Sequence, residues 1–381
     1  MPATPKIAIV ADWLTDFGGA ERVVLAMHEA FPDAPVYTSV YQPEPALREA
    51  LKGVDVRTTF IQKFPKKLRR LHKWFPVIRT WGFRKLDLSE FDIIITSSSA
   101  ESKQIRKTRP DQIHICYCHT PTRYYWSHYD EYKKQPGFGK LNWLVRLLIP
   151  IFLPGQRRAD FKAAQHVDLF VANSTAVQER IKTYYKKPAT VIFPPVATKR
   201  FTPARVRGDY YVAIGRQMPY KRIDLAVAAA THLGIPLKVY GNGSQHARLV
   251  EMAGPSVSFY TNRFGDSSDA EVAKSLNGAK GLIFPSTDED FGITMVEGLA
   301  AGAPVIAFGK GGALDIVEDG ISGVYYQKQT VDAVVEAIKK VETQTFLPGT
   351  LQRKAKRFDT SLFITKIRKV VMDQQDHTTR P

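Results

Sequence analysis

Short apolar runs alternate along the chain with segments whose apolar residues recur every three or four positions. The runs KIAIVAD (6–12) and DIIITSSS (92–99) are short and rich in β-branched residues, and this predicts buried strands. The segment FGGAERVVLAMHEAF (17–31) follows a glycine turn and carries an apolar stripe, which predicts an amphipathic helix. Strands that alternate with helices predict parallel sheets with helices on both faces.

The alternation begins again after a linking segment rich in proline and basic residues. Five later runs predict further strands: YYVAIGR, PLKVYGNG, VSFYTN, AKGLIFPS and APVIAFG. We therefore predict two doubly wound α/β domains, of residues 1–200 and 201–358, with the boundary near 194–208. A last helix within 359–381 is expected to pack back on the first domain. Because ligands of such sheets bind outside the carboxyl ends of the strands, we expect a cleft between the domains to hold the site.

Composition limits the class of protein. The chain has 381 residues, of which 44% are hydrophobic and 24% charged, as expected for a globular protein with two domains. No apolar run approaches the roughly 20 residues that a membrane-spanning helix needs, and the first residues lack the features of a signal peptide. A strand is expected to turn Cys116 and Cys118 to opposite faces, a poor geometry for a disulfide. These features favour a cytoplasmic protein.

The net charge of +17 is uneven, because residues 1–200 carry +14 of it. The segment 63–85 contains no acidic residue and mixes lysines and arginines with aromatic residues, so it could bind an anionic membrane, bind nucleic acid or form a solvated face. The segment 141–158 is nearly all apolar, and it fits a core helix, a helix in the membrane interface or, together with 63–85, a channel for a lipid acceptor. We expect both segments to attach the protein peripherally to the inner face of the cell membrane, and we expect no nucleic-acid partner.

Candidate chemistry is concentrated in the second half. Glu289 follows the strand run GLIFPS, and Glu297 lies near the middle of the next predicted helix. The start of that helix offers N–H groups to an anion, and ionised carboxylates are strong acceptors for hydroxyl groups. Arg216 and Lys221 follow another strand and can bind phosphate oxygens. Together these groups predict a site for a sugar-bearing diphosphate.

The first half adds two candidate features. Gly18 and Gly19 allow the backbone to approach a ligand closely in the turn before a helix. His119 follows the strand run ICYC and is expected to face the same cleft.

With these motifs the sequence resembles the retaining glycosyltransferases of family 4, which have the GT-B fold of two Rossmann-like domains. The resemblance covers nearly the whole chain. Its motifs are GGAER (18–22), GRQMPYK (215–221) and EDFGITMVE (289–297), the last followed by GLAAGAPVIA. The runs FDIIITSSS and CYCHTPTRYYW resemble a subgroup of bacterial enzymes that build surface polysaccharides, often mannosyltransferases.

The resemblance implies roles for individual residues. Arg216 and Lys221 would neutralise the donor's diphosphate, Glu297 would hold the ribose hydroxyls, and Glu289 would orient the sugar. His119 would contact the sugar or phosphate near the reacting carbon, and it joins Arg216, Lys221 and Glu289 as a candidate catalytic residue. The remaining candidate donor-binding residues are Gly18, Gly19, Gly241, Arg263, Phe264, Phe291, Gly292, Ile293 and Thr294.

The expected reaction is a metal-independent hexosyl transfer without a cofactor, on the front face of the sugar. The expected donor is a nucleotide sugar, GDP-mannose in preference, and the expected acceptor is lipid-linked or a polysaccharide. Three alternatives stay open at this point: a UDP-sugar donor, a non-hydrolysing nucleotide-sugar epimerase of the same fold, and a basic nucleic-acid or membrane-binding module.

Overall fold

The computed structural model describes residues 5–72, 75–127, 142–261 and 268–379. Contacts divide the chain into two compact units, of which the first comprises Met1–Phe193 with Ile364–Pro381 and the second comprises Pro194–Phe363. Each unit is built on one parallel sheet, as the alternating pattern predicts.

The sheet of the first unit has seven strands in the order β3-β2-β1-β4-β5-β6-β7, and all neighbours are parallel. The order reverses between β1 and β4, which is the arrangement of a doubly wound fold. The strands are β1 (Ile7–Ala11), β2 (Val36–Thr38), β3 (Val56–Thr58), β4 (Ile93–Ser98), β5 (Ile113–Cys118), β6 (Leu169–Ala172) and β7 (Ala189–Val191).

Helices connect these strands. Their bounds are Gly19–Ala30, Pro45–Ala50, Lys66–Arg70, Pro76–Arg84, Asn142–Gln165 and Thr175–Tyr185, with 3₁₀ turns at Phe60–Lys63 and Ser102–Gln104. The last helix of the chain, Thr360–Thr379, enters the first unit at Ile364. There Arg368 donates from Nε to the carbonyl of Ala30 at 2.8 Å and from Nη2 to that of Glu29 at 3.1 Å. The prediction that this helix packs back on the first domain is confirmed.

The sheet of the second unit has six strands in the order β10-β9-β8-β11-β12-β13, again all parallel. Its strands are β8 (Tyr211–Ile214), β9 (Leu237–Tyr240), β10 (Val257–Tyr260), β11 (Gly281–Phe284), β12 (Val305–Phe308) and β13 (Gly323–Tyr326). Its helices are Ile223–Leu233, His246–Met252, Ser268–Asn277, Ile293–Ala300, Ala313–Ile316, Val331–Thr343 and Pro348–Lys356, with 3₁₀ turns at Thr198–Arg200 and Pro219–Lys221.

The predicted geometry of the two cysteines is wrong. Cys116 and Cys118 are two positions apart on β5, and alternate residues of a strand point to the same face. Both side chains therefore lie in one buried cluster beside Phe170 of β6. Both are free thiols.

Two buried ion pairs involve residues of the turn that follows β4. Lys103 contacts Asp160 at 2.7 Å, and Arg79 contacts Glu101 at 2.7 Å, with all four side chains almost completely buried. Burial alone would lower the pKa of Lys103, but the carboxylate of Asp160 raises that pKa above its usual value. Each charge thus depends on its partner, because an unpaired buried charge is strongly unfavourable.

Replacement of Lys103 by methionine leaves the Asp160 carboxylate buried without its cation. We expect Lys103→Met to lower the free energy of unfolding of the first unit by about 3–5 kcal/mol in urea titrations. The matched control is Lys52→Met, because Lys52 forms an exposed pair with Glu49. It should change stability by less than ~1 kcal/mol. Equal losses in the two variants would contradict the assigned importance of the buried pair.

Candidate functional site

The strand order of the second sheet reverses between β8 and β11, and the loops that follow these two strands contact each other. The N–H of Thr287 donates to the carbonyl of Tyr220 at 3.0 Å, and the Thr287 hydroxyl donates to the same oxygen at 3.1 Å. The ammonium of Lys221 pairs with the carboxylate of Glu289, and both side chains are only 16% exposed. The structure therefore brings two predicted site residues together where ligands of doubly wound sheets bind.

Aromatic rings surround the cation of this pair. The Lys221 ammonium lies 5.4 Å from the ring centroid of Phe284 and 5.5 Å from that of Tyr220. At these distances the cation–π interaction stabilises the positive charge of the ammonium. Lys221 ends a 3₁₀ turn, and the next helix begins after Arg222. Arg216 is exposed and donates from Nη2 to the Tyr220 hydroxyl at 3.2 Å, so both predicted cations lie in one loop.

The backbone around Glu289 is held by two glycines that follow β12. The N–H of Gly312 donates to the carbonyl of Glu289 at 3.0 Å. A Cβ on Gly312 would lie 2.3 Å from the carbonyl oxygen of Phe291, and a Cβ on Gly311 would lie 2.5 Å from that of Glu289. Only glycine permits this approach, and it places the Glu289 carboxylate next to Lys221.

Gly292 connects that loop to the helix Ile293–Ala300. Its φ of +94° lies in the left-handed region, which glycine adopts at little cost. Phe291 turns its ring into the core against Phe358, with ring centroids 5.4 Å apart, so Phe291 can serve a ligand only through its backbone. The first N–H groups of the helix, from Ile293 and Thr294, have no acceptor within the helix and could bind an anion.

Glu297 lies on the helix itself, so the two carboxylates belong to different elements, as predicted. Its Oε1 accepts from Nη2 of Arg200 at 3.2 Å, and Nη1 of the same guanidinium pairs with Asp269. Arg200 was not predicted. It precedes Glu297 by 97 residues in a proline-rich segment, so no local spacing could connect the two.

Gly241 follows β9 with a φ of +117°. Its carbonyl accepts from Nε2 of Gln217 at 2.8 Å, and Oε1 of Gln217 lies 2.8 Å from Nδ1 of His246. Gln217 is completely buried and fastens the loop after β8 to the loop after β9. It too was not predicted, although it lies between the two cations in the motif GRQMPYK. Arg263 and Phe264 lie outside the described residues.

The other predicted residues belong to the first unit. Gly18 precedes the helix Gly19–Ala30, and its N–H donates to the carboxylate of Glu21 at 3.0 Å. His119 directly follows β5, and its Nε2 lies 2.8 Å from the hydroxyl of Ser97 at the end of β4. Both features therefore lie at carboxyl ends of strands or at a helix start, the positions that the sequence predicts.

The two segments predicted to meet a membrane differ in their burial. In the basic segment, Arg79 and Phe83 are buried, whereas several apolar side chains are exposed: Leu68, Leu71, Phe75, Val77 and Trp81. The helix Asn142–Gln165 exposes Trp143, Leu147 and Phe152 by more than 60% each. Lys73, Trp74 and residue 141 lie outside the described residues. No helix in the described ranges is long and apolar enough to cross a membrane.

Within residues 5–72, 75–127, 142–261 and 268–379, no group of three or more His, Cys, Asp or Glu side chains converges.

The strand order and the loops that meet where it reverses define a doubly wound α/β protein with a candidate ligand site at the carboxyl edge of its second sheet. Residues 17–200 match the model of glycosyltransferase family 4, and residues 197–358 match that of glycosyl transferases group 1. The two models together span residues 17–358, and the chain belongs to the glycosyltransferases that they describe.

Individual proteins are more distantly similar. The chain is 27% identical over 198 residues to an uncharacterized glycosyltransferase of Methanocaldococcus jannaschii, which covers 51% of the chain and 56% of that protein. It is 28% identical over 229 residues to the D-inositol 3-phosphate glycosyltransferase of Salinispora arenicola, and this match covers 50% of the chain and 50% of that protein. The chain thus spans about half the length of the curated relatives that it matches.

The crystal structure of HepE from Anabaena with UDP and glucose has the same fold. Its TM-score is 0.68, and it is 16% identical over 97% of the chain and 100% of HepE. The GT-B fold is thereby confirmed.

The close approach at Gly312 yields a direct test of the loop packing. We expect Gly312→Ala to lower the free energy of unfolding of the second unit by about 1–3 kcal/mol, because the new methyl group meets backbone atoms that cannot move aside. The control is Gly349→Ala, where the nearest atom to a Cβ is 3.7 Å away in the side chain of Arg353. Thermal unfolding of both variants measures the difference, and an unchanged midpoint for Gly312→Ala would show that the loop packs differently.

Proposed function

We propose that the protein transfers a sugar from a nucleotide diphosphate sugar to an acceptor hydroxyl. The observation that carries this proposal is the Lys221–Glu289 pair, which joins a phosphate-binding cation and a hydroxyl-binding carboxylate at the reversal of strand order. Arg216 extends from the same loop as Lys221. The family assignment supports the same reaction.

In the proposed reaction the bond between the anomeric carbon and a diphosphate oxygen breaks. The electron pair stays on the leaving nucleoside diphosphate, and positive charge develops on the sugar. Arg216 and Lys221 stabilise the leaving group electrostatically, which is the term that contributes most in such sites. The acceptor oxygen attacks the front face of the same carbon, and the leaving phosphate oxygen takes the acceptor's proton. The configuration is retained, and no metal takes part.

The remaining candidate residues contact the donor in this proposal. Glu289 and the backbone from Phe291 to Thr294 orient the sugar, and Glu297 holds the ribose hydroxyls. The residues proposed to contact the phosphates, sugar or base are Gly18, Gly19, His119, Gly241, Arg263 and Phe264.

The donor is proposed to be GDP-mannose, which follows from the resemblance of FDIIITSSS and CYCHTPTRYYW to polysaccharide mannosyltransferases. A UDP-sugar is the second candidate, because the similar structure of HepE contains UDP and glucose. The acceptor is proposed to be lipid-linked or a polysaccharide.

The donor proposal is tested by a thermal-shift panel with GDP, UDP, ADP and NAD. One nucleoside diphosphate should raise the melting temperature, and Lys221→Ala should reduce that rise because a cation at the diphosphate is lost. With the matching nucleotide sugar, the same variant should lower the rate of transfer or slow hydrolysis by about 10²–10³-fold. The control is Lys339→Ala, since Lys339 lies exposed on the helix Val331–Thr343.

Two results would contradict the proposal. The first is a melting temperature that responds to duplex DNA but to no nucleotide, which would favour a nucleic-acid module. The second is an equal loss of activity in Lys339→Ala and Lys221→Ala.

We further propose that the first unit attaches to an anionic membrane surface. The helix Lys66–Arg70 contributes four cations, and the exposed apolar side chains described above lie along the same segment. A surface that combines exposed apolar groups with positive charge binds to the interface of anionic bilayers, and each cation contributes about 1 kcal/mol.

Liposome flotation tests this attachment. The protein should float with vesicles that contain anionic lipid and should be released by salt, because the attraction is screened. A variant with Lys66, Lys67, Arg69 and Arg70 changed to glutamine should float at least tenfold less. A control that changes four exposed basic residues of the second unit, Lys328, Lys339, Lys340 and Arg353, should float as the unmodified protein does. Equal flotation of the two variants would remove the basic helix from the proposal.

A further inference from the structure

Arg200 lies in the 3₁₀ turn Thr198–Arg200, eleven residues before β8 begins at Tyr211. Its guanidinium contacts two carboxylates that come from different helices. Nη2 lies 3.2 Å from Oε1 of Glu297, and Nη1 pairs with Asp269 at the start of the helix Ser268–Asn277. The guanidinium carbon also lies 5.0 Å from the ring centroid of Phe201. Three chain segments thus determine where this side chain lies: its own turn with Phe201 and the two helices that carry the carboxylates.

This contact matters because of where Glu297 lies. It belongs to a helix of eight residues whose other side chains are mostly buried, and its own side chain is only 14% exposed. A glutamate has three rotatable side-chain bonds, and a carboxylate can place an oxygen accurately only if neighbouring groups select one rotamer. The guanidinium of Arg200 can select one rotamer of Glu297, because it is planar and its separate N–H donors can bind two carboxylates at once.

We propose that Arg200 is a positioning residue for the nucleotide: it selects the rotamer of Glu297 that accepts the two ribose hydroxyls of a nucleoside diphosphate. This inference rests on the proposed function, in which Glu297 binds the ribose. Arg200 itself contacts no part of the substrate. It acts through Glu297, and its pair with Asp269 keeps the guanidinium in place when the ribose binds.

Arginine is required at this position for a geometric reason. Lysine carries one point charge and cannot bridge Glu297 and Asp269 with two separate N–H groups in a fixed plane. Arg200→Lys therefore keeps the charge but loses the selection of the rotamer. Lysine and glutamine variants should have similar defects, which distinguishes positioning from a simple electrostatic attraction of the nucleotide.

The experiment compares a nucleoside diphosphate with its 2′,3′-dideoxy analogue by calorimetry, using the base that stabilises the protein most. For the unmodified protein, removal of the two hydroxyls should weaken binding by about tenfold or more, because a charged acceptor loses its partners. Arg200→Gln and Arg200→Lys should weaken binding of the ribose form by about tenfold but should leave binding of the dideoxy form within about twofold. Retained binding of the dideoxy form also shows that each variant is folded.

Two further variants complete the design. Glu297→Gln should reproduce the loss for the ribose form, and the double variant Arg200→Gln/Glu297→Gln should bind no more weakly than Glu297→Gln alone, because both changes remove the same contact. Lys199→Gln is the matched control, since Lys199 is an exposed cation on the same 3₁₀ turn, and it should leave both affinities unchanged.

The outcomes separate this inference from the proposed function. If Glu297→Gln weakens binding of the ribose form but not of the dideoxy form, and the Arg200 variants weaken neither, the positioning role is wrong and the donor site stands. The positioning role is equally wrong if the Arg200 variants weaken both nucleotides alike, or if the double variant is the sum of the single ones. If Glu297→Gln binds both nucleotides as the unmodified protein does, the assignment of the ribose to Glu297 fails as well.

Discussion

The Lys221–Glu289 ion pair is the interaction on which the candidate site depends. In a doubly wound sheet, the connections after the two strands at the reversal of order run to opposite faces, so their loops diverge and leave a crevice. Here the loops after β8 and β11 are joined across that crevice by the ion pair and by the bonds from Thr287 to Tyr220. A cation and a carboxylate are thereby kept close together in a partly desolvated place, where electrostatic interactions are stronger than in bulk water.

Much of the fold could be predicted from local patterns. Apolar runs and periodic stripes identified the central strands of both sheets. Residue types typical of helix ends occur where they are observed, since Ser174 caps the start of the helix Thr175–Tyr185 and Gly234 ends the helix Ile223–Leu233. The short strands β3, β7 and β13 were missed, because three or four residues are too few to show a clear periodicity. The candidate cations and carboxylates were found because they follow strands in sequence. The side chains that hold them were not.

Gln217 and Arg200 show why the side chains that hold the candidate residues were missed. Their partners are distant in sequence, and the contacts exist only once the sheet has brought the loops together. The basic segment of the first unit shows the same limit. Arg79 lies in a run of cations and looks like its neighbours, yet it is buried against Glu101, whereas Lys66 and Lys67 are exposed. Charge alone could not separate a structural arginine from a surface one.

The two glycines after β12 have a consequence for attempts to change which compound the protein accepts. At Gly311 and Gly312 the main chain lies directly against the carbonyls of Glu289 and Phe291, without room for a single methyl group. Mutant libraries that vary these positions will therefore contain mostly destabilised members rather than members with altered selectivity. Diversity is better directed to the surface of the loop after β9, where Asn242 is exposed and a new side chain meets solvent instead of backbone.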